Sequence, residues 1–284
     1  MMPPADVLSH MERLREIKVD FDRFLRQVCP LLGLEWHKYR RRAARHRVQR
    51  RIRELGLDDL ESYLHLLRIK SDEAEGLADL MRVTVSRFFR DKPCWTQLAE
   101  DVVPRIIDEN TRDTSLRVWS AGCCGGEEPY TMALLWLEYL QPVFPGHSVD
   151  ILATDIDDAA LERARMGTYG EGSLREIPAT IRERWFHRRD GIWLLDERIR
   201  ELVRFEKRNL MTDTPPSGMD LTLCRYLPFT YYRDRRCWEA ARRLSDSLCP
   251  WGVLIIGLKE TVDTSQRQLL DPWPGIEWAF RKKL

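Results

Sequence analysis

The segment Leu116–Tyr130, LRVWSAGCCGGEEPY, holds the densest chemistry in the chain. Leu116, Val118 and Trp119 form a short apolar run that predicts a buried parallel strand. At Ser120-Ala121-Gly122 the run gives way to paired cysteines, paired glycines, the carboxylates Glu127-Glu128 and Pro129. Beyond Pro129 the apolar period changes, and Tyr130, Met132, Ala133, Leu134, Leu135, Leu137, Tyr139 and Leu140 predict a largely buried helix. Gly122, Gly125 and Gly126 can take positive φ and let a ligand approach the backbone closely. The two glutamates would repel a pyrophosphate, and no Lys or Arg in the loop offsets them. The turn is therefore not a P-loop, and it lacks the GxGxxG dinucleotide spacing. A carboxylate at this mouth suits a cationic ligand group such as an ammonium. A plain glycine turn with solvated glutamates is the alternative reading of the segment taken alone.

A second predicted strand, Val149–Ile156, ends in acid at Asp155, with Asp157 just beyond. An acidic residue closing the second strand of such a unit is where a ribose presents its hydroxyls. Glycine turn, acidic mouth and strand-end Asp together suit a nucleoside that carries an amino acid. That description fits S-adenosylmethionine and a Rossmann-like methyltransferase.

RVWSAGCCGGEEPY, the later ATDID, RFEKRNL and LCRYLPFTYY, and the upstream RVTVSRFFRD resemble the successive motifs of the CheR-type chemotaxis receptor methyltransferases. They occur in that family's order over most of the chain. The resemblance implies S-adenosylmethionine as cofactor, S-adenosylhomocysteine as product, and methylation of glutamate side chains on the helical bundle of a chemoreceptor. It implies a cofactor site drawn from Ser86, Arg90, Ala121, Gly122, Glu127, Asp155, Asn209, Leu210, Arg225 and Tyr231. Glu127 would hold the ammonium, Asp155 the ribose and Asn209 an adenine edge, with Leu210 against the adenine face. Arg90 and Tyr231 would organise the transfer centre: Arg90 by a charge-assisted contact to the target carboxylate, Tyr231 by an aromatic face toward the methylsulfonium. A turn-forming Asn209 near Asp213 and an ordinary buried Tyr231 are the alternatives. No metal is required. Ser86 stands where the family usually has Thr and keeps the hydroxyl.

Three features depart from the family pattern. The usual CRN is Cys224-Arg225-Tyr226, the loop from there to Tyr231 is one residue longer, and the usual GHSE is Gly257-Leu258-Lys259-Glu260. All lie on the acceptor side. They leave open a different methyl acceptor, or a non-catalytic scaffold that binds cofactor as a sensor.

The elements that must position these residues follow from length and pattern. The 284 residues, 43% hydrophobic and 32% charged, suit an N-terminal helical domain over residues 1–83, a linker and leading helix over 84–115, and an α/β methyltransferase domain over 116–284. Residues 1–30 read as helical, with Phe21, Phe24 and Leu25 as an apolar stripe that either covers the following domain or forms a dimer helix. Asp58 or Asp59 is the expected cap of a helix whose inner stripe is Leu60, Tyr63, Leu64 and Leu67. Residues Pro93 to Asn110 predict a helix. A small antiparallel β insertion is expected over about residues 168–206, including strands at Trp193–Leu195 and Leu202–Phe205. In some family members that subdomain grips a tethering peptide at the receptor C-terminus. Further sheet strands are expected at Met219–Arg225 and Gly252–Gly257, with Ile276–Arg281 as a final antiparallel edge strand. No apolar run reaches the ~18–20 residues of a membrane span. The absence of an apolar leader and of any CxxC among the seven cysteines points to reduced thiols and a cytoplasmic protein.

A basic helix precedes Glu54 and has three readings: a solvated arginine face, a phosphate-binding surface for nucleic acid, or a docking face for an acidic protein. The net charge of only +1 requires any such function to be local. Nothing else in the chain reads like a base-recognition module. The family resemblance favours docking to the receptor bundle, with Arg47, Arg50, Arg51 and Arg53 as the contact candidates.

Overall fold

The computed structural model describes residues 21–39, 41–81, 86–109 and 114–283, and these fall into two compact units. One comprises Met1–Val83 with Thr230–Arg235, the other Thr84–Phe229 with Arg236–Leu284. Most of the predicted first helix lies outside the described residues; Phe21, Phe24 and Leu25 are described and buried.

The first unit is helical: α1 (residues 21–31), a 3-10 turn at Trp36–Lys38, α2 (Arg41–Glu54), α3 (Leu60–Ile69) and α4 (Ser71–Leu80). Val48 and Ile52 of α2 and Tyr63, Leu64 and Leu67 of α3 face its core. Asp59 starts α3 by accepting the Ser62 N–H at 2.8 Å, the expected side-chain cap. The segment Thr230–Arg235 closes this unit. Tyr232 forms a β-bridge with Leu34, the Tyr231 carbonyl accepts the Glu35 N–H, and Arg233 pairs with Glu35 at 2.8 Å.

The second unit opens with α5 (Lys92–Gln97), a π turn (Leu98–Val102) and α6 (Val103–Glu109). Then follow β1 (Ser115–Ala121), α7 (Glu127–Leu135), β2 (Ser148–Asp155), α8 (Asp158–Met166), β3 (Thr168–Tyr169), α9 (Glu171–Leu174), α10 (Ala179–Trp185), β4 (Phe186–Arg189), β5 (Ile192–Leu195), α11 (Glu197–Arg200) and β6 (Val203–Lys207). The chain ends with β7 (Met219–Leu223), α12 (Pro228–Tyr231), α13 (Asp234–Ser247), β8 (Leu248–Ile255), β9 (Leu270–Trp273) and β10 (Ile276–Lys282). Seven strands form one sheet in the order β6-β2-β1-β7-β8-β10-β9. The pairs from β6 to β8 are parallel, and β10 is antiparallel to both β8 and β9. After β1 the chain builds outward through β2 to β6 on one side, then returns to lay β7 and β8 on the other. The strand order therefore reverses between β1 and β7, and the crevice beyond their carboxyl ends is the position where such sheets bind ligands.

Two expected strand placements need correction. Leu202–Phe205 was expected within the β insertion, but Val203–Lys207 is the parallel edge strand of the main sheet, in register with Ile151–Asp155. Its sequence, VRFEK, is mixed and charged because one edge meets solvent, so it reads like a hairpin strand. The small sheet holds only β3, β5 and β4, with a two-residue Asp190-Gly191 turn at positive φ in both positions. The C-terminal strand is not the edge. Residues Leu270–Trp273 take that place outside it, with Pro272 opposite Phe280. A proline lacks the N–H for a second neighbour, which suits an edge strand and hides it in the sequence.

All seven cysteines are free thiols. Among the described residues no helix is long and apolar enough to cross a membrane.

Candidate active site

The chain leaves β1 at Ala121 and turns through Gly122 at φ +76°. The positive φ favours glycine, and a Cβ on Gly122 would also lie 2.7 Å from the end of the Leu227 side chain, which would have to shift. The N–H groups of Gly122 and Cys123 donate to the Thr154 carbonyl at 2.8 and 2.9 Å. Asp155 ties the two loops leaving β1 and β2. One carboxylate oxygen accepts the Cys124 N–H at 2.8 Å and the other the Asp157 N–H at 3.0 Å. Each oxygen retains further acceptor capacity. Asp157 itself caps α8 through the N–H groups of Ala159 and Ala160.

Glu127 and Glu128 begin α7 and point apart, as neighbours about 100° apart on a helix must. Glu127 is buried. The Ser173 hydroxyl donates to its Oε1 at 3.3 Å, Ser86 contributes a further hydroxyl contact, and its Oε2 is buried with no hydrogen-bond partner. Desolvation pushes this carboxyl above the usual glutamate range. Glu128 accepts the Ser120 hydroxyl at 2.8 Å, and Arg225 lies 3.6 Å away. Burial raises its pKa as well, against the opposing pull of Arg225. The neighbouring thiols are inert for the same reason: burial pushes Cys124 up to about 12.

The FFR motif forms a turn. Both Phe88 and Phe89 are buried. Phe89 adopts φ +49°, held by the Thr131 hydroxyl on its N–H at 3.1 Å. The Arg90 carbonyl accepts the Trp95 indole N–H at 2.9 Å and Arg225 Nη2 at 2.8 Å. Arg225 Nη2 also donates to Asp91 at 2.7 Å, and its Nε is buried without a hydrogen-bond partner. The Arg90 guanidinium lies over the Tyr226 ring, 3.7 Å from its centroid, and the Tyr226 hydroxyl donates to Asp91 at 2.6 Å.

Of the residues singled out from the sequence, Ser86 and Glu127 come together at one place, and Arg90 and Arg225 at another. Asn209 follows β6 and forms an Asx turn, its Oδ1 accepting the Met211 N–H at 2.9 Å. The neighbouring Leu210 is buried. Tyr231 belongs to the helical unit, where its ring packs against Tyr39 at 5.2 Å between centroids. The arginines of α2 divide into two kinds. Arg51 makes a two-pronged pair with Glu73 at 2.9 and 2.6 Å, and Arg47 donates to the Leu80 carbonyl. Arg50 and Arg53 are exposed and contact Glu54 and the Gln49 carbonyl of their own helix. Asp91 and Ser173 were not singled out, and Glu128 figured only as one of the acidic pair, with no site role. Asp91 directly follows the FFR motif and Glu128 adjoins Glu127, so both were adjacent signals; Ser173 comes from the insertion and had none.

Residues 84–273 match the family model described as CheR methyltransferase, SAM binding domain, and residues 19–81 match the CheR methyltransferase, all-alpha domain. The chain belongs to the CheR methyltransferase family. A chemotaxis protein methyltransferase of Listeria innocua is 29% identical over 247 residues, 87% of this chain and 92% of that one. The chemotaxis protein methyltransferase of Escherichia coli is 29% identical over 270 residues, covering 92% and 91%. An uncharacterized 104.1 kDa protein of Rhodobacter capsulatus is 33% identical over 224 residues, of which this CheR-family chain spans 23% of the length.

The cofactor of this methyltransferase is S-adenosylmethionine, and the residues present fit it. The partnerless Oε2 of Glu127 is a buried acceptor packed against Gly125, where a Cβ would come within 2.9 Å of it. A buried carboxylate in that position is matched by a cation. Were Glu127 to hold the cofactor's ammonium it would have to be ionised, and its raised carboxyl would then lose its proton as the ligand enters. Below the free-protein pKa of Glu127, S-adenosylhomocysteine is expected to release a proton on binding and to lose affinity toward tenfold per pH unit as the pH falls. Calorimetry in acidic buffers of differing ionisation enthalpy counts that proton. Glu127→Gln should bind more weakly and without proton release; release unchanged in that variant would assign the proton to another group.

Proposed function

We propose that this chain transfers a methyl group from S-adenosylmethionine to glutamate side-chain carboxylates of an acidic protein in the cytoplasm, of the kind a chemoreceptor's helical bundle presents. The supporting observation is the buried, partnerless Glu127 oxygen at the glycine turn of a chain whose relatives are named chemotaxis protein methyltransferases. Glu127 would meet the ammonium of the cofactor, and the partnerless Arg225 Nε its carboxylate. Asp155 would take the ribose hydroxyls, and Asn209 and Leu210 the adenine. The cofactor supplies an electrophilic methyl on a positively charged sulfur. An acceptor glutamate, with an ordinary pKa of ~4.3, is already ionised at neutral pH, so no general base is needed. Arg90 holds and orients that carboxylate, and catalysis is then chiefly alignment.

The test is transfer of a labelled methyl group to the purified cytoplasmic fragment of a chemoreceptor. A methyl ester is base-labile and releases methanol, and it is lost when the acceptor glutamates are changed to alanine. Label that resists base would overturn the glutamate reading. Cofactor binding without transfer to any acceptor would favour a sensor scaffold.

Of the four arginines expected to dock the acceptor, Arg50 and Arg53 are the exposed pair. Reversing both to Glu is expected to lower kcat/KM for the acceptor about tenfold at low salt, with the difference shrinking as salt rises. S-adenosylhomocysteine affinity should stay within about twofold, since neither side chain is among those proposed to hold the cofactor. Arg51→Glu is a control of a different kind, because it confronts Glu73 and should destabilise the helical unit instead.

A further inference from the structure

We propose that Tyr226 is the positioning residue for Arg90: its ring is the platform that fixes the guanidinium for the acceptor carboxylate. The proposal rests on the reading of Arg90 as the group that holds that carboxylate.

Tyr226 stands in a backbone conformation that tyrosine rarely adopts, with φ +60°. Asparagine tolerates that region far better. Backbone and ring of the strained residue are each held. Glu260, itself buried, accepts the Tyr226 N–H at 2.7 Å and the Gly257 N–H at 2.7 Å through the same Oε2. Gly257 leaves room for the ring: a Cβ there would lie 2.7 to 2.9 Å from three ring carbons. The ring is thus seated against a glycine, and the Arg90 guanidinium lies over it at 3.7 Å.

Two consequences follow for Arg90. A guanidinium stacked on an aromatic face spends none of its N–H donors on that contact, so stacking and in-plane carboxylate binding are compatible. An arginine side chain is also rotamer-rich, and a platform removes that freedom before the acceptor arrives. The Tyr226 hydroxyl adds a second effect. With Arg225 it occupies Asp91 Oδ2 at 2.6 and 2.7 Å, which engages the carboxylate adjacent to Arg90. Backbone and side chain of the 90–91 pair are therefore fixed by the consecutive residues Arg225 and Tyr226.

The test uses the full chain with Tyr226→Leu, Tyr226→Phe and Tyr226→Asn, each also combined with Arg90→Ala. Arginine-labelled protein gives an Arg90 side-chain NMR signal, assigned by its loss in Arg90→Ala. In the wild type and Tyr226→Phe it should be ring-shifted and rigid; in Tyr226→Leu the shift and rigidity should be lost. Transfer to a receptor cytoplasmic fragment should fall about 10- to 100-fold in kcat/KM for Tyr226→Leu, the scale of a misplaced catalytic contact. Tyr226→Phe, which keeps the ring, should recover most of it. In the Arg90→Ala background Tyr226→Leu should cost little more, because both changes remove one function. An unchanged Arg90 signal in Tyr226→Leu, or the same fold-loss with and without Arg90, overturns the proposal. Tyr226→Asn suits the left-handed backbone and carries the same comparison if Tyr226→Leu does not fold. Absence of transfer by the wild type would overturn the reaction reading alone, and the NMR comparison would still decide whether Tyr226 orders Arg90.

Discussion

Replacing Arg90 by alanine is expected to lower methyl transfer about a hundredfold while S-adenosylhomocysteine binds within about twofold of its normal affinity. The magnitude corresponds to about 2.7 kcal/mol of barrier, which is within the range of one lost charge-assisted hydrogen bond with its orientation. The split between binding and turnover follows from where the side chain is held. Its backbone carbonyl is fixed by Trp95 and Arg225, and its guanidinium lies on Tyr226. Removing the guanidinium leaves the backbone clamp and the Glu127 end of the site in place. Arg90→Lys should fall between wild type and alanine, since an ammonium keeps the charge but neither the planar fork nor the stack. Initial rates with labelled cofactor measure both. Turnover within threefold of wild type in Arg90→Ala would remove this residue from the transfer centre.

The second large effect is expected at Asp155. Asp155→Ala should weaken S-adenosylhomocysteine binding about a hundredfold, more than a single ribose contact would suggest. The reason is that the carboxylate also accepts the N–H groups of Cys124 and Asp157. Its removal costs the ligand contact and also frees the glycine turn that must receive the ligand. Asp155→Asn retains one side-chain acceptor and should lose less. Titration calorimetry on the two variants separates the terms, and equal affinities for wild type and Asp155→Ala would exclude the residue from ribose binding.

The parts of the molecule legible in the sequence are those with a local physical signature. The β1–α7 turn announced itself through three glycines and two carboxylates, and the end of β2 through Asp155. The Asp59 cap and the Tyr63-Leu64-Leu67 stripe were equally local. What escaped depended on partners distant in sequence. VRFEK carries nothing that says it pairs with β2 and not with the nearby hairpin, and LDPW does not look like a strand until it is known to be an edge. The two basic candidates Arg47 and Arg51 share a helix with Arg50 and Arg53. Only the positions of Glu73 and the Leu80 carbonyl distinguish them. Tyr226 was visible as a departure from a motif, but the seat made for it by Gly257 and Glu260 lies more than thirty residues later in the chain.

The helical unit is not a continuous piece of polypeptide. Residues 230–235 complete it from far downstream, through the Leu34–Tyr232 bridge, the Glu35–Tyr231 hydrogen bond and the Arg233–Glu35 pair. Exchange of modules between relatives must respect this. A chimera that swaps residues 1–83 alone installs a foreign helical set against a resident closing segment chosen for a different neighbour. The heritable module is the N-terminal stretch together with its distant clasp, and recombination that separates them should yield poorly folded hybrids even where both parents are stable.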